Sequence, residues 1–245
     1  MNHRMIRYIT GSLIQMEAAM LLVPALTALL YGEMYCLLVF LGTALFCVAG
    51  GQVLKGKKPE DVTIFSSEGY VSVAVCWIML SICGAMPLYL SGYFSNPVDA
   101  LFEIVSGFTT TGATILGDVE ILPRSVLMWR SFSHWIGGMG VLVFMLALLP
   151  MAGASSMYLM RAESPGPSVG KLVPKVRSTA KILYGIYFFM TVAEFLLLAL
   201  AGCPLFDAVN LSFATAGTGG FGVLNSSAGD YNAWIQVILT IFMIL

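Results

Sequence analysis

Long apolar runs separated by short polar connections dominate the pattern of this 245-residue chain. A helix rises about 1.5 Å per residue, so about 20 apolar residues cross a hydrocarbon layer of about 30 Å. Five runs reach that length, and each predicts a membrane-spanning helix. They cover residues 9–30, 34–54, 70–90, 126–149 and 180–201.

Three further apolar runs are too short to cross. Two of them, residues 98–109 and 205–215, are about 12 residues long, and each leads into a stretch rich in threonine and glycine. Such intramembrane backbone is tolerated where it is buried in protein or lines a water-filled cavity, so we predict two re-entrant helices. The third run covers about 13 residues from Ala233 to Leu245, and we therefore expect the sequence to end inside a helix.

The two short segments belong to an internal repeat. Residues 97–114 resemble residues 204–221 in composition and order, and each segment lies between two predicted helices. The repeated unit is a helix, a re-entrant helix, a Thr/Gly stretch and a second helix. The predicted fold is an all-α integral membrane protein in which a leading helix pair precedes these units. We expect the pair at residues 1–55, the first unit at 56–150 and a second unit, incomplete in its last helix, at 151–245.

Composition agrees with a lipid environment. Apolar residues make up 58% of the chain and charged residues 10%, whereas about a quarter of the residues are charged in soluble domains. A net charge of -1 provides no cationic surface for nucleic acid, so no such partner is expected. The five cysteines lie in apolar stretches without CxxC or Cys/His spacing, which predicts neither a disulfide framework nor a metal site.

The distribution of charge predicts the orientation of the chain in the membrane. With the N-terminus in the cytoplasm and both short helices re-entering from outside, ten of the twelve basic residues lie inside and only Arg124 and Arg130 outside. Acidic residues collect outside, where they either concentrate cations at a pore mouth or are simply tolerated. The inner basic residues are Arg4, Arg7, Lys55, Lys57, Lys58, Arg161, Lys171, Lys175, Arg177 and Lys181; the outer acidic residues are Glu33, Asp99, Glu103, Asp118, Glu120, Asp207 and Asp230.

The Thr/Gly stretches have the chemistry of a filter for a monovalent cation. A helix that enters from outside directs the partial negative charge of its C-terminal end toward the membrane centre. The residues that follow, 109–113 and 215–220, are small, and glycine reaches φ angles that allow successive carbonyls to face one axis. Carbonyl oxygens can then replace the water shell of an alkali ion. The alternative is that these small residues only permit close helix packing.

Polar residues within the predicted spans have both functional and structural interpretations. An unpaired carboxylate is costly in lipid, so Glu17 and Glu194 must face protein or water, either as part of a functional site or as helix contacts. A membrane enzyme using Glu17, Glu194 or His134 as acid or base would need a nucleophile or a recurring acid/base spacing, which the sequence lacks. We therefore expect no enzyme. Three glycines of the fourth span predict a close helix crossing or a kink: Gly137, Gly138 and Gly140.

Four stretches together resemble the membrane subunit of Trk/Ktr-type potassium uptake systems, and within that family its TrkH branch. Order and spacing match over essentially the whole chain, including the leading helix pair. The stretches are residues 102–114, residues 135–140 with 149–150 beyond them, residues 161–167, and residues 205–208 with 218–221.

The resemblance implies a potassium-channel-like fold of four helix/pore-loop/helix repeats around one ion path. It implies a homodimer in the bacterial inner membrane, regulated by a cytosolic nucleotide-binding subunit. Only one repeat and most of a second are present, so the third and fourth are expected in cis in a longer protein, unless the gene is truncated. The expected function is potassium uptake, with potassium as the ion and no organic cofactor. Alternatives are a sodium-conducting or sodium-coupled relative, and a non-conducting assembly fragment.

The resemblance also implies which residues hold potassium. Backbone carbonyls of Thr110, Thr111 and Gly112 would bind it in the first loop. Thr218 and Gly219 would bind it in the second loop, with Gly217 adjoining. An alignment of residues 215–217 with residues 110–112 remains an alternative for the second loop.

Overall fold

The computed structural model describes residues 2–57, 59, 66–140 and 176–244, and all regular structure within those residues is helical. The second part of the predicted fourth span, 141–149, lies outside the described residues. So do the resemblance stretch 161–167 and the basic residues Lys58, Arg161, Lys171 and Lys175.

The leading helix pair consists of one bent helix and one continuous helix. Helix α1 (His3–Met20) continues through Leu21 into α2 (Leu22–Tyr31). Pro24 lacks the N–H that would bond the Met20 carbonyl, which accounts for the irregularity at Leu21. Gly32, with φ of 73°, ends α2, and α3 (Met34–Lys55) returns beside it.

Two glycines set the closest approach within this pair. A Cβ added at Gly11 of α1 would lie 2.5 Å from the Lys55 nitrogen and 2.6 Å from the Gly51 carbonyl oxygen. A Cβ at Gly51 would lie 2.8 Å from the Gly11 carbonyl oxygen. Helices α1 and α3 therefore cross backbone against backbone, as membrane helices do at small residues.

Two helix/short-helix/helix units follow the pair, as the sequence predicts. The first contains α4 (Ser66–Leu90), α5 (Pro97–Phe108) and α6 (Arg124–Gly138). The second contains α7 (Val176–Leu200), α8 (Leu205–Ala216) and α9 (Ala233–Ile244). Both short helices, α5 and α8, have 12 residues, too few to span. Four stretches within the described residues are long and apolar enough to cross a membrane: His3–Tyr31, Met34–Lys55, Glu68–Leu90 and Ile182–Leu200.

Local sequence explains where α5 begins. The Asn96 side chain accepts from the backbone N–H groups of Val98 and Asp99, at 2.6 and 3.1 Å, and thereby caps the helix. Pro97 occupies the first helical position, where its missing N–H costs nothing. Asp99 adds an acidic side chain to the first turn, which the positive end of the helix dipole favours.

Helix α6 forms the centre of the described core, because it packs against both short helices. Trp129 is fully buried, meets Phe108 of α5 edge-on at 6.0 Å, and donates from Nε1 to the Gly84 carbonyl of α4 at 2.9 Å. Phe132 lies 5.2 Å from Phe213 of α8 between ring centroids. One helix of the first unit thus supports the short helices of both units.

Candidate ion-binding site

The first short helix ends in a Schellman turn. The N–H of Thr110 donates to the Gly107 carbonyl at 3.0 Å, and the N–H of Thr111 donates to the Ser106 carbonyl at 2.9 Å. The turn requires a left-handed residue at Thr110, where φ is 54°. Gly112 is also left-handed, with φ of 73°. The chain therefore leaves α5 through two left-handed residues separated by one that is not.

The second short helix ends in the same way. The N–H of Thr218 donates to the Thr215 carbonyl at 2.7 Å, and the N–H of Gly219 donates to the Ala214 carbonyl at 2.9 Å. Thr218 and Gly220 are left-handed, with φ of 55° and 81°. The similarity of the two segments in sequence thus extends to their backbone conformation.

Threonine at the left-handed position is unusual. A β-branched residue rarely adopts positive φ, and such a conformation costs about 1–3 kcal/mol. Thr110 and Thr218 both adopt it at equivalent places, although glycine would remove the strain. Strain of this kind concentrates at functional sites, so the repetition marks both turns as functional candidates.

The matching turns fix the alignment of the two loops. The first loop is residues 109–114 and the second loop is residues 217–221. The hydrogen bonds do not support the alternative alignment of 215–217 with 110–112, because Thr215 lies within α8 and Gly217 is its C-cap, with φ of -76°. Gly217 instead corresponds to Thr109, the C-cap of α5, with φ of -82°. The remaining pairs are Thr110 with Thr218, Thr111 with Gly219, and Gly112 with Gly220.

Gly220 is the residue that sequence reasoning missed. It has the conformation of Gly112, yet the expected potassium ligands of the second loop stop at Gly219. Its signal was the group of three glycines at positions 217, 219 and 220, for which sequence alone does not show the one with positive φ.

The two loops contact each other directly. A Cβ added at Gly112 would overlap the carbonyl oxygen of Gly219. Beyond this contact, Asn225 joins the segments that follow the loops: its Oδ1 accepts from the Val119 N–H at 2.8 Å, and its Nδ2 donates to Asp118 at 2.8 Å. Its own N–H donates to Glu120 at 2.9 Å. The expected ion-binding residues of the two units are therefore brought together.

Helix α6 packs its glycines and one histidine against both loops. A Cβ at Gly137 would overlap the Phe108 carbonyl, where α5 ends. A Cβ at Gly138 would lie 2.7 Å from the Gly217 Cα. His134 fills the space beside the second loop, because a Cβ at Gly219 would overlap its imidazole ring. The close crossing predicted at Gly137 and Gly138 is confirmed.

A buried ion pair supports the first loop from behind. Arg130 of α6 and Glu103 of α5 are 2.7 Å apart and 2% and 0% exposed. Glu103 also accepts from the Thr114 hydroxyl at 2.9 Å and from the Ile115 N–H at 3.1 Å. Arg130 lies 4.3 Å from the ring centroid of Phe221, in the second loop. Glu103 and Arg130, which the charge pattern places among the outer charges, are therefore buried in the protein, where each neutralises the other.

Residues 37–245 match the family described as TrkH, cation transport protein. This chain belongs to the TrkH family.

Relatives of this TrkH-family chain include potassium uptake proteins about twice its length. It is 36% identical to the Trk system potassium uptake protein TrkH of Escherichia coli over 252 residues, covering 100% of this chain and 51% of that protein. It is 34% identical to TrkG of the same organism over 95% of this chain and 48% of the relative. The crystal structure of the potassium transporter TrkH from Vibrio parahaemolyticus matches with a TM-score of 0.81 and 31% identity, over 99% of this chain and 49% of that chain. The chain thus spans about half the length of the relatives it matches.

Several of the acidic residues that the charge pattern predicts on the outer side of the membrane accept hydrogen bonds. Glu33 accepts from the backbone N–H groups of Arg124 and Ser125, at 2.7 and 3.0 Å, and so caps α6. Asp207 accepts from the Tyr231 hydroxyl at 2.9 Å. Burial, together with this hydrogen bond, raises the pKa of Tyr231. These acids stabilise the connections around the loops, a structural role in addition to the two interpretations that the charge pattern left open.

The two carboxyl groups within the spans lie in different places, Glu17 beside α4 and Glu194 beside Thr215 at the end of α8. Glu17 of α1 and Glu194 of α7 are both fully buried inside the protein. Glu17 lies beside Gly84 of α4, where a Cβ would approach its Oε1 to 3.0 Å. Both residues contact protein, which agrees with the expectation that neither faces lipid.

Proposed function

We propose that this chain contributes two loops of a potassium-selective path across the membrane. The proposed ligands are backbone carbonyls of Thr110, Thr111 and Gly112 in the first loop. In the second loop they are the carbonyls of Thr218 and Gly219, with Gly217 adjoining. Gly220 is added because it corresponds to Gly112 of the first loop. The observation that carries the proposal is the repetition of one strained turn at the end of each re-entrant helix, with the Gly219 carbonyl against Gly112.

The physical basis is the exchange of water for carbonyl oxygen. Alternation of left-handed and other residues turns successive carbonyls to one side, where they can replace the hydration shell of an alkali ion. The C-terminal ends of α5 and α8 add their partial negative charge. Neutral carbonyls suit a monovalent ion, since a divalent ion would favour carboxylate ligands. Potassium agrees with the names of the relatives.

The proposal includes an orientation and a larger assembly. We place the N-terminus in the cytoplasm and the chain in the bacterial inner membrane, because the basic residues gather on one side. The leading pair (residues 1–55) precedes two units (56–150 and 151–245), and two further units in cis would complete the path, in keeping with relatives about twice as long. A homodimer and a cytosolic nucleotide-binding partner are the expected assembly.

Uptake of each alkali ion by a deficient bacterium tests the function. The complete protein is expressed in a strain that lacks potassium uptake, and initial uptake of potassium and of sodium is measured separately. The proposal predicts restored growth at low potassium and uptake of potassium in preference to sodium. Equal or preferential sodium uptake would favour the sodium-conducting alternative, and the absence of flux despite membrane insertion would favour a non-conducting assembly role.

A further inference from the structure

Three potential metal ligands meet between α1, α3 and α4, away from the loops. The Glu17 carboxylate, the Cys47 thiol and the Cys83 thiol each offer one atom, and these atoms all lie within 4.8 Å of one another. All three side chains are buried, with exposures of 0%, 0% and 4%. They come from three different helices, so only the folded chain brings them together.

The Glu17 carboxyl group requires a partner that the surrounding protein does not supply. Both of its oxygens are buried, and neither has a hydrogen-bond partner within the described part of the chain. A buried polar group without a partner costs several kcal/mol in an apolar environment. Because the oxygens lie beside two sulfur atoms, a cation bound by all three side chains would satisfy them.

We propose that Glu17, Cys47 and Cys83 form a structural site for a thiophilic divalent cation, of which Zn²⁺ is the representative. Zinc binds sulfur at about 2.3 Å and carboxyl oxygen at about 2.0–2.2 Å in tetrahedral geometry, so neighbouring ligand atoms are roughly 3.5–3.8 Å apart. That separation fits within the observed cluster. The fourth position is left for a water molecule, as in zinc sites with three protein ligands.

Metal binding at this site releases three protons. The two thiols and the Glu17 carboxyl group bind in their deprotonated forms, because thiolate and carboxylate are the forms of these side chains that bind zinc. Two thiolates and one carboxylate around a divalent cation carry a net charge of -1, so the metal offsets two of the three negative charges that meet between the helices.

The position of the site indicates what the metal would hold together. Gly84 of α4 lies next to Glu17 on one side and to Phe108 and Ile104 of α5 on the other, with a Cβ at Gly84 approaching these groups to 2.8–3.0 Å. A metal bound to α1, α3 and α4 would therefore hold the leading helix pair against the helix that packs on α5. The site is structural and lies outside the proposed ion path.

Retention of zinc by the purified protein tests this site independently of transport. The complete protein is purified in detergent with Zn²⁺ present, dialysed against a weak chelator, and analysed for bound zinc and for its melting temperature. We expect about one zinc ion per chain, and a lower melting temperature after a strong chelator removes it. Cys47→Ser, Cys83→Ser and Glu17→Gln should each lose the bound zinc and the effect of the chelator. Cys76→Ser, on the same helix as Cys83 but outside the cluster, should retain both.

Two results would overturn the proposal. One is wild-type protein that retains no zinc above the level of a mock purification. The other is equal retention by wild type and Cys47→Ser or Cys83→Ser, which would place the zinc elsewhere. The three ligand variants change three different helices, so a folding defect in one leaves the other two informative. Potassium uptake is not a readout here, so failure of the transport proposal would leave the result unaffected.

Discussion

The carbonyl oxygen of Gly219 occupies the space that a side chain on Gly112 would need. Gly112 and Gly219 belong to different repeats, and their positions in the two aligned loops differ by one residue. The two loops therefore depend on each other for their positions. Helix α6 also contacts both loops and helps to set their positions. The proposed site can therefore be tested by substituting contacting residues in pairs.

The contact between Gly219 and His134 predicts a rescue by a second substitution. A Cβ at Gly219 would overlap the imidazole of His134, so Gly219→Ala should displace the second loop and reduce potassium uptake. Overpacking of this kind costs about 1–3 kcal/mol. His134→Ala provides the space, and the double variant should transport better than Gly219→Ala alone. A double variant no better than Gly219→Ala would show that the ring does not set the position of the loop.

Backbone strain at Thr110 predicts a stabilising substitution. Thr110→Gly should raise the free energy of unfolding by about 1 kcal/mol, because glycine adopts the left-handed conformation without steric cost. Thr109→Gly is the control: its φ of -82° suits any residue, so glycine there should only destabilise. Thermal denaturation in detergent compares the two variants. A lower melting temperature for Thr110→Gly than for wild type would contradict the strained turn.

The buried pair of Glu103 and Arg130 predicts a large loss from either single change. Arg130→Met leaves an unpaired carboxylate in the protein and should cost about 3–5 kcal/mol. A double variant, Glu103→Leu with Arg130→Met, removes both charges and should lose less than the sum of the two single variants. It should still transport poorly, since Thr114 and Ile115 lose their acceptor. Additive losses in a thermal melt would show that the two charges are not coupled.

Arg124 is the matched control for this pair. It is an exposed arginine on the same helix, stacked on Tyr31 at 4.4 Å from the ring centroid. Exposed cation–π contacts contribute about 0.5–1 kcal/mol, so Arg124→Met should have a small effect. Equal losses for Arg124→Met and Arg130→Met would indicate a general requirement for charge on α6.

Two adjacent glycines of α3 should respond oppositely to alanine. A Cβ at Gly51 would lie 2.8 Å from the Gly11 carbonyl oxygen, whereas a Cβ at Gly50 would meet nothing within 4 Å. Gly51→Ala should therefore destabilise the leading pair by about 1–3 kcal/mol. Gly50→Ala should stabilise α3 by up to about 1 kcal/mol through helix propensity. Melting temperatures that shift in the same direction would contradict the close crossing.

Much of the fold can be predicted from the sequence, because a helix needs an apolar run of a minimum length to span the membrane. The runs that predict re-entrant helices end at Thr109 and Thr215, and the helices end at Phe108 and Ala216. The charge pattern was less reliable in detail. A buried pair such as Glu103 and Arg130 looks the same in sequence as two surface residues, because the partners are far apart along the chain.

The contacts within the site could not be predicted from the sequence either, because the residues that meet there are far apart along the chain. Gly220 needed the backbone angles of both loops before its equivalence to Gly112 was visible. The cysteines predicted no metal site, since spacing along one helix cannot show that Cys47 and Cys83 meet Glu17 from separate helices. Three-dimensional proximity, and not residue type, carries both inferences.

Substitution at Gly112 tests the central proposal, that the two Thr/Gly loops form part of a potassium filter. Gly112→Ala combines a positive φ of 73° with overlap on the Gly219 carbonyl. Gly117→Ala, a few residues further along, places its Cβ in open space and is the control. Both variants are expressed in the complete protein in a bacterium deficient in potassium uptake, their amounts in the membrane are matched, and initial potassium uptake is measured. The filter proposal predicts loss of uptake for Gly112→Ala and wild-type uptake for Gly117→Ala; unchanged potassium uptake by Gly112→Ala would contradict it.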